Sequence, residues 1–118
     1  MNKIVIDDMF LTVGTPTTAG SKMLEGYNSL FEAEVLTRLN AAGYTITGKA
    51  KVGEFGVDLL GETSYFGADY ENDTLQYPAA VQVKSGEAEA AVVLDVNGAP
   101  RRGAAQAGLV ALKPTYGM

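Results

Sequence analysis

Residues 28–52, NSLFEAEVLTRLNAAGYTITGKAKV, read as a helix followed at once by a strand, and that pair decides the fold class. Ser29 with Glu32 three residues on has the form of a capping box. Phe31, Val35, Leu39 and Ala42 fall on one helical face, and Gly43 sits where a C′ glycine belongs. The spacing predicts a helix over about Leu30–Ala42. Tyr44 and Ile46, then Gly48, carry a strand signature directly behind it, so helix and strand are expected to pack together.

Upstream, Ile4, Val5 and Ile6 form a β-branched run that predicts a buried strand, broken by Gly14, Pro16 and Gly20. The intervening TVGTPTTAGSKML is a loop rich in hydroxyls able to satisfy backbone locally. Downstream, a short helix is expected within Gly53–Leu60, and the acidic, aromatic stretch around DYENDT is expected to be a solvated surface loop. AAVQVKSGEAEAAVVLDVNG predicts two strands turning at Ser85–Gly86, with Val81 and Val83 in the first and Val92, Leu94 and Val96 in the second. APRRGAAQAG is expected as a short helix or turn and LVALKP as a last strand closed by Pro114. The expectation is an α/β fold: one small domain over residues 1–118, a mixed β-sheet and one main helix.

Composition narrows the chemistry. The chain has 118 residues, 47% hydrophobic, with net charge -5 and nine Lys plus Arg, none clustered beyond Arg101–Arg102. That balance argues against direct nucleic-acid binding. There is no cysteine and no histidine. Disulfides, thiolate nucleophiles and the commonest metal ligand are therefore excluded, and no metal or cofactor is expected. Acid–base work would fall to Lys, carboxylates or activated hydroxyls. No apolar run approaches the roughly 20 residues of a membrane span and no signal-peptide pattern opens the chain, so a cytoplasmic location without membrane contact is expected.

Three blocks in order, DDMFLTVGTPTTAGSKML, EAEVLTRLNAAGYTITGKAKVGEF with GETSYFG behind it, and GLVALKPTYG, resemble the amidase signature family, in particular the A subunit of aminoacyl-tRNA amidotransferases. The resemblance covers most of residues 4–67 and 95–117. It implies a truncated version of the amidase signature fold and C–N amide chemistry by a Ser–cis-Ser–Lys arrangement, with backbone N–H groups of a Gly-rich loop binding the oxyanion. Carried over by position, the base lysine falls on Asp7. The nucleophile falls on Ala99, inside DVNGAPR, where Asp95, Gly98 and Arg101 keep the family's frame and Pro100 replaces an isoleucine. The cis-serine has only Ser85 as a candidate remnant, reached by deleting a substantial piece of the family's loop and helix.

A carboxylate in place of a lysine inverts the electrostatics around a developing oxyanion, and alanine has no nucleophilic atom, which points away from catalysis. The resemblance with these losses implies a non-catalytic binding or assembly module, a pseudoenzyme that self-associates or joins the other components of an amidotransferase because a shortened α/β fold leaves sheet edges uncovered. Two alternatives stay open: an amidase or glutamine amidotransferase using non-standard or partner-supplied residues, and a sensor of small amides or amino acids. For the sensor, Arg101 would supply a planar donor for a carboxylate and Thr17, Thr18 and Ser21 would line the pocket. The plainer reading has these hydroxyls satisfying loop backbone and Arg101 holding a turn. Lys84 and Ser85, and likewise Asp7 and Asp8, are neighbours on predicted strands; their side chains should point to opposite faces and form neither a dyad nor a metal site. Glu54 and Phe55 are assigned to packing.

Overall fold

The computed structural model of the chain describes residues 2–117. Its centre is β1 (Lys3–Asp7), the middle strand of a three-stranded parallel sheet flanked by β2 (Thr45–Ala50) and a short strand from Ala90 to Val92. Ile4, Val5, Ile6 and Asp7 are all buried. A parallel central strand is covered on both faces, which is why its sequence is continuous rather than alternating. α1 (Glu34–Ala41) packs on one face, where Ile4 and Ile6 meet the fully buried Leu36 with Val35, Leu39 and Ile46 around it. On the other face Val5 joins Ala50, Tyr77, Ala79, Ala80, Ala88 and Ala99. The chain is thus α/β, as the sequence leads one to expect.

Between β2 and the third strand the chain makes an antiparallel hairpin, β3 (Asp69–Glu71) and β4 (Thr74–Gln76), then α2 (Pro78–Lys84). The third strand of the main sheet is β5 (Ala90–Val92), and α3 (Ala99–Ala107) follows. Parallel and antiparallel pairings therefore both occur, in separate sheets. Three helices of similar length replace the one main helix expected.

Several sequence expectations are corrected. α1 begins four residues later than the capping box implies: Ser29 Oγ accepts from Phe31 N–H at 3.1 Å and donates to Phe31 O, while Glu32 accepts from Val13 N–H at 2.7 Å. Residues 30–33 stay out of the helix because they are held beside residues 11–13, with Ala33 N–H donating to Leu11 O. The predicted strand through Val81 and Val83 is the helix α2. Its period-2 signal rested on two valines, whereas Pro78 at the first turn, a buried Ala pair and Gly86 at φ 85 just past the end are helix punctuation. Ser85 and Gly86 thus end a helix instead of turning a hairpin, and the strand after them stops at Val92, short of Leu94 and Val96.

The acidic stretch read as loop forms the β3–β4 hairpin, turned by Asn72 and Asp73, both with positive φ, residues suited to that conformation. Gly53–Leu60 holds only a 3-10 turn, Glu54–Gly56. APRRGAAQAG is a full helix, α3, bounded by Gly98 and Gly108 in the left-handed region. LVALKP is not a strand: Leu109 N–H reaches Ala104 O, and Val110 and Leu112 lie exposed.

Candidate functional site

Strand exits place the site. After β1 the chain leaves toward the α1 face, and after the adjacent β5 it leaves toward α3 on the opposite face. Between two such neighbours, at the carboxyl ends of parallel strands, α/β proteins have their ligand crevice. The residues there are Asp7 at the end of β1 and the segment Leu94–Ala99.

Asp7 is 1% exposed. Its Oδ2 accepts the Tyr77 hydroxyl at 2.6 Å and the Leu94 N–H at 3.2 Å, while Oδ1 is buried with no partner. Burial pushes the carboxyl up to about 7, with Asp8 adding to the rise and the Tyr77 and Leu94 donors opposing it. The Tyr77 hydroxyl is itself driven far above its ordinary range, chiefly by burial and then by the Asp7 charge. A carboxyl near 7 is protonically suited to base work, but this one is enclosed. Tyr77 closes over Asp7, with the stem of its side chain seated against Gly103 of α3.

No Cβ fits on Gly103. It would overlap Tyr77 Cβ and come within 2.9 Å of Cγ. Gly103→Ala therefore sets a gain of up to about 1 kcal/mol in helix propensity against overpacking of roughly 1–3 kcal/mol. Since the obstacle is the stem of the tyrosine and not its mobile end, a net loss of about 1–2 kcal/mol is expected in denaturant unfolding. A variant as stable as the parent would show that Tyr77 is not seated on α3.

Ala99 is buried at the first turn of α3, in the same apolar cluster as Val5 and Tyr77. The frame around it is tied by Asp95, which accepts from Gly98 N–H at 2.8 Å, Arg101 Nε at 2.8 Å and Lys113 Nζ at 3.3 Å. The Arg101 bond, with Gly98 and Lys113 assisting against partial burial, holds the Asp95 carboxyl down to about 2, and the same contact raises the Arg101 guanidinium. Arg101 is thus occupied by the turn, as the plainer sequence reading has it.

Thr17, Thr18 and Ser21 are engaged too. Lys49 Nζ reaches Thr17 Oγ1 at 2.7 Å, Thr12 Oγ1 at 2.9 Å, Pro16 O at 3.0 Å and Asp8 Oδ1 at 3.0 Å, with its side chain only 9% exposed. The Thr18 hydroxyl bonds Asp8 Oδ2 and its N–H donates to the same carboxylate at 3.2 Å. Ser21 Oγ accepts from Met23 N–H and donates to Glu54 Oε2 at 3.0 Å. The loop is therefore fastened by its own hydroxyls to Asp8 and Lys49. Asp7 and Asp8 do face opposite sides, one toward Tyr77 and the other toward Lys49. Ser85 lies apart, exposed at the end of α2, its hydroxyl donating to Gln82 O at 3.0 Å, while Lys84 lies 3.9 Å from Glu71.

Sequence reasoning missed Tyr77 and Lys49. Tyr77 stands directly before the proline of α2, and reading YPAA as a helix start would have drawn attention to it. Lys49 falls opposite Ile6 in the β2 register, a pairing that no local pattern exposes.

The family model for Amidase matches residues 3–71, more than half of the chain. The chain belongs to the Amidase family. It is 42% identical over 122 residues to the A subunit of glutamyl-tRNA(Gln) amidotransferase from Halobacterium salinarum, covering 98% of this chain and 29% of that protein. Against the protein of the same name from Symbiobacterium thermophilum it is 42% identical over 121 residues, 97% of this chain and 25% of that one. The crystal structure of the glutamyl-tRNA(Gln) amidotransferase A subunit from Thermotoga maritima superposes with a TM-score of 0.67 at 31% identity, over 75% of this chain and 21% of that one. The Amidase-family chain thus spans between a quarter and three-tenths of the length of the first two relatives.

Proposed function

We propose that this Amidase-family chain is a non-catalytic relative of the amidotransferase A subunit that works by association, as a binding or assembly module, and not by cleaving amides. The observation that carries this reading is the burial of both Asp7 and Ala99. The position matched to the family's base holds Asp7, enclosed and bonded to Tyr77. The position matched to the nucleophile holds Ala99, whose methyl is buried against the same cluster and has no atom to attack a carbonyl. A sensor built on the TPTTAGS loop draws no support from hydroxyls already engaged by Asp8, Lys49 and Glu54.

Association is favoured by the outer edges of β2 and β5, which pair with no further strand among the described residues, and by Val110 and Leu112 at 98% and 85% exposure nearby. The partners we propose are a second copy or the other amidotransferase subunits, in a cytoplasmic setting; no helix among the described residues is long and apolar enough to cross a membrane. Ammonia release from glutamine, asparagine and simple amides should stay at background for the purified protein. Turnover that disappears in Ser85→Ala would instead establish an amidase acting through other residues. In sedimentation at micromolar concentration the chain should run above its 12.4 kDa monomer mass, and a strictly monomeric profile would rule out self-association.

A further inference from the structure

One carboxyl, Asp7, ties three elements together: β1, which carries it, the N-terminus of α2 through Tyr77, and the segment after β5 through Leu94 N–H. Both donors reach the same oxygen. The other oxygen is buried without any partner. A neutral carboxyl tolerates that enclosure far better than a carboxylate does, because burying an unpaired charge costs much more than burying an unpaired polar atom.

Among the described residues no cation is paired with Asp7. Asp8, next on β1, is turned to the other face and paired with Lys49, and Lys51 is paired with Asp69 at 2.7 Å, so β2 offers Asp7 only its register partner Ala50. From α2 comes Tyr77, and from the segment after β5 only an N–H. Arg101 of α3 is held by Asp95, and the negative charges of Asp58 and Asp95 bear on the tyrosine, opposing its ionisation.

We propose that Asp7 and Tyr77 form a proton-tightened latch: the protonated carboxyl holds α2 on the central strand, and ionisation loosens α2 by favouring states in which water reaches the enclosed oxygen. α2 is the element to yield. It has seven residues and no side-chain N-cap bond, and apart from Pro78 its buried residues are two alanines, so the Tyr77 ring and hydroxyl are its principal anchor. The proposal concerns the response of the fold to protons and stands whether or not the chain hydrolyses amides.

The direction follows from linkage. The closed state binds the proton more tightly than the open one, so closure is favoured fully below the ordinary carboxylate value of 3.8 and is lost as pH rises toward about 7. Hydrogen exchange of the Val81 and Ser85 amides, which donate to Tyr77 O and Val81 O, should therefore show an opening equilibrium, corrected for intrinsic rates, that rises by up to about tenfold per pH unit between about 4 and 7 and levels above. Asp7→Asn should remove that rise. Protection independent of pH in the unmodified chain, or an undiminished rise in Asp7→Asn, would overturn the latch. Should Asp7→Asn fail to fold, the carboxyl carbon shift of Asp7 in the unmodified protein decides: a titration near 7 that coincides with the levelling supports it, and one near 3.8 refutes it.

Discussion

Gly20→Ala is expected to destabilise the fold by about 3 kcal/mol or more, the sum of roughly 1–2 kcal/mol for a left-handed backbone and 1–3 kcal/mol for overpacking. Gly20 has φ +70 and directly follows Ala19 at φ 50, so the TTAGS turn already carries one non-glycine residue in that region. A Cβ on Gly20 would press into the carbonyl oxygen of Val52 and stand 2.8 Å from that of Gly53. Both obstacles are backbone, fixed by their surroundings: Val52 is buried, and Phe55 N–H donates to Ala19 O at 2.7 Å across the same contact. Neither can step aside as a side-chain end could. Urea unfolding of the variant should show the loss as a lower midpoint with an unchanged slope. A loss below about 1 kcal/mol would mean that the loop does not lie on the segment after β2 as described.

Leu36→Ala should cost about 3 kcal/mol, within the 2–5 kcal/mol range of fully buried leucines, because the cavity left behind adds to the lost transfer energy. Leu36 is the one buried residue of α1 and is completely enclosed against Ile4 and Ile6. No other side chain of α1 can compensate, since Val35 and Leu39 are only partly buried. Exchange protection of α1 should fall together with global stability, because this side chain is what fastens the helix to the central strand. A loss under about 1 kcal/mol would place Leu36 outside the core.

The sequence by itself determined the α/β class, the central strand at Ile4–Ile6, and the helix–strand pair after it. In each case the signal is local: a β-branched run, a helical stripe, a glycine at the end. The family was legible as well, through three motif blocks in order, and the same blocks drew attention to Asp7 and Ala99. Even so, the stripe Phe31, Val35, Leu39, Ala42 passed over Leu36, since burial depends on which flank of the helix meets the sheet.

Only the tertiary structure decided what those positions are like. Two valines at alternate positions suggest a strand face, but on α2 they part, Val81 exposed and Val83 partly buried against the core, and the preference for the helix is set by packing of Ala79 and Ala80. Asp7 reads as an ordinary strand-end carboxylate until Tyr77, seventy residues away, arrives at 2.6 Å. For Arg101 and the TPTTAGS hydroxyls the sequence leaves a ligand and the fold itself both open as partners, and the actual partners, Asp95, Asp8 and Lys49, are visible only in the structure. Local patterns record what the backbone prefers, whereas enclosure, partners and the resulting protonation depend on residues brought together from β1, α2 and the segment after β5.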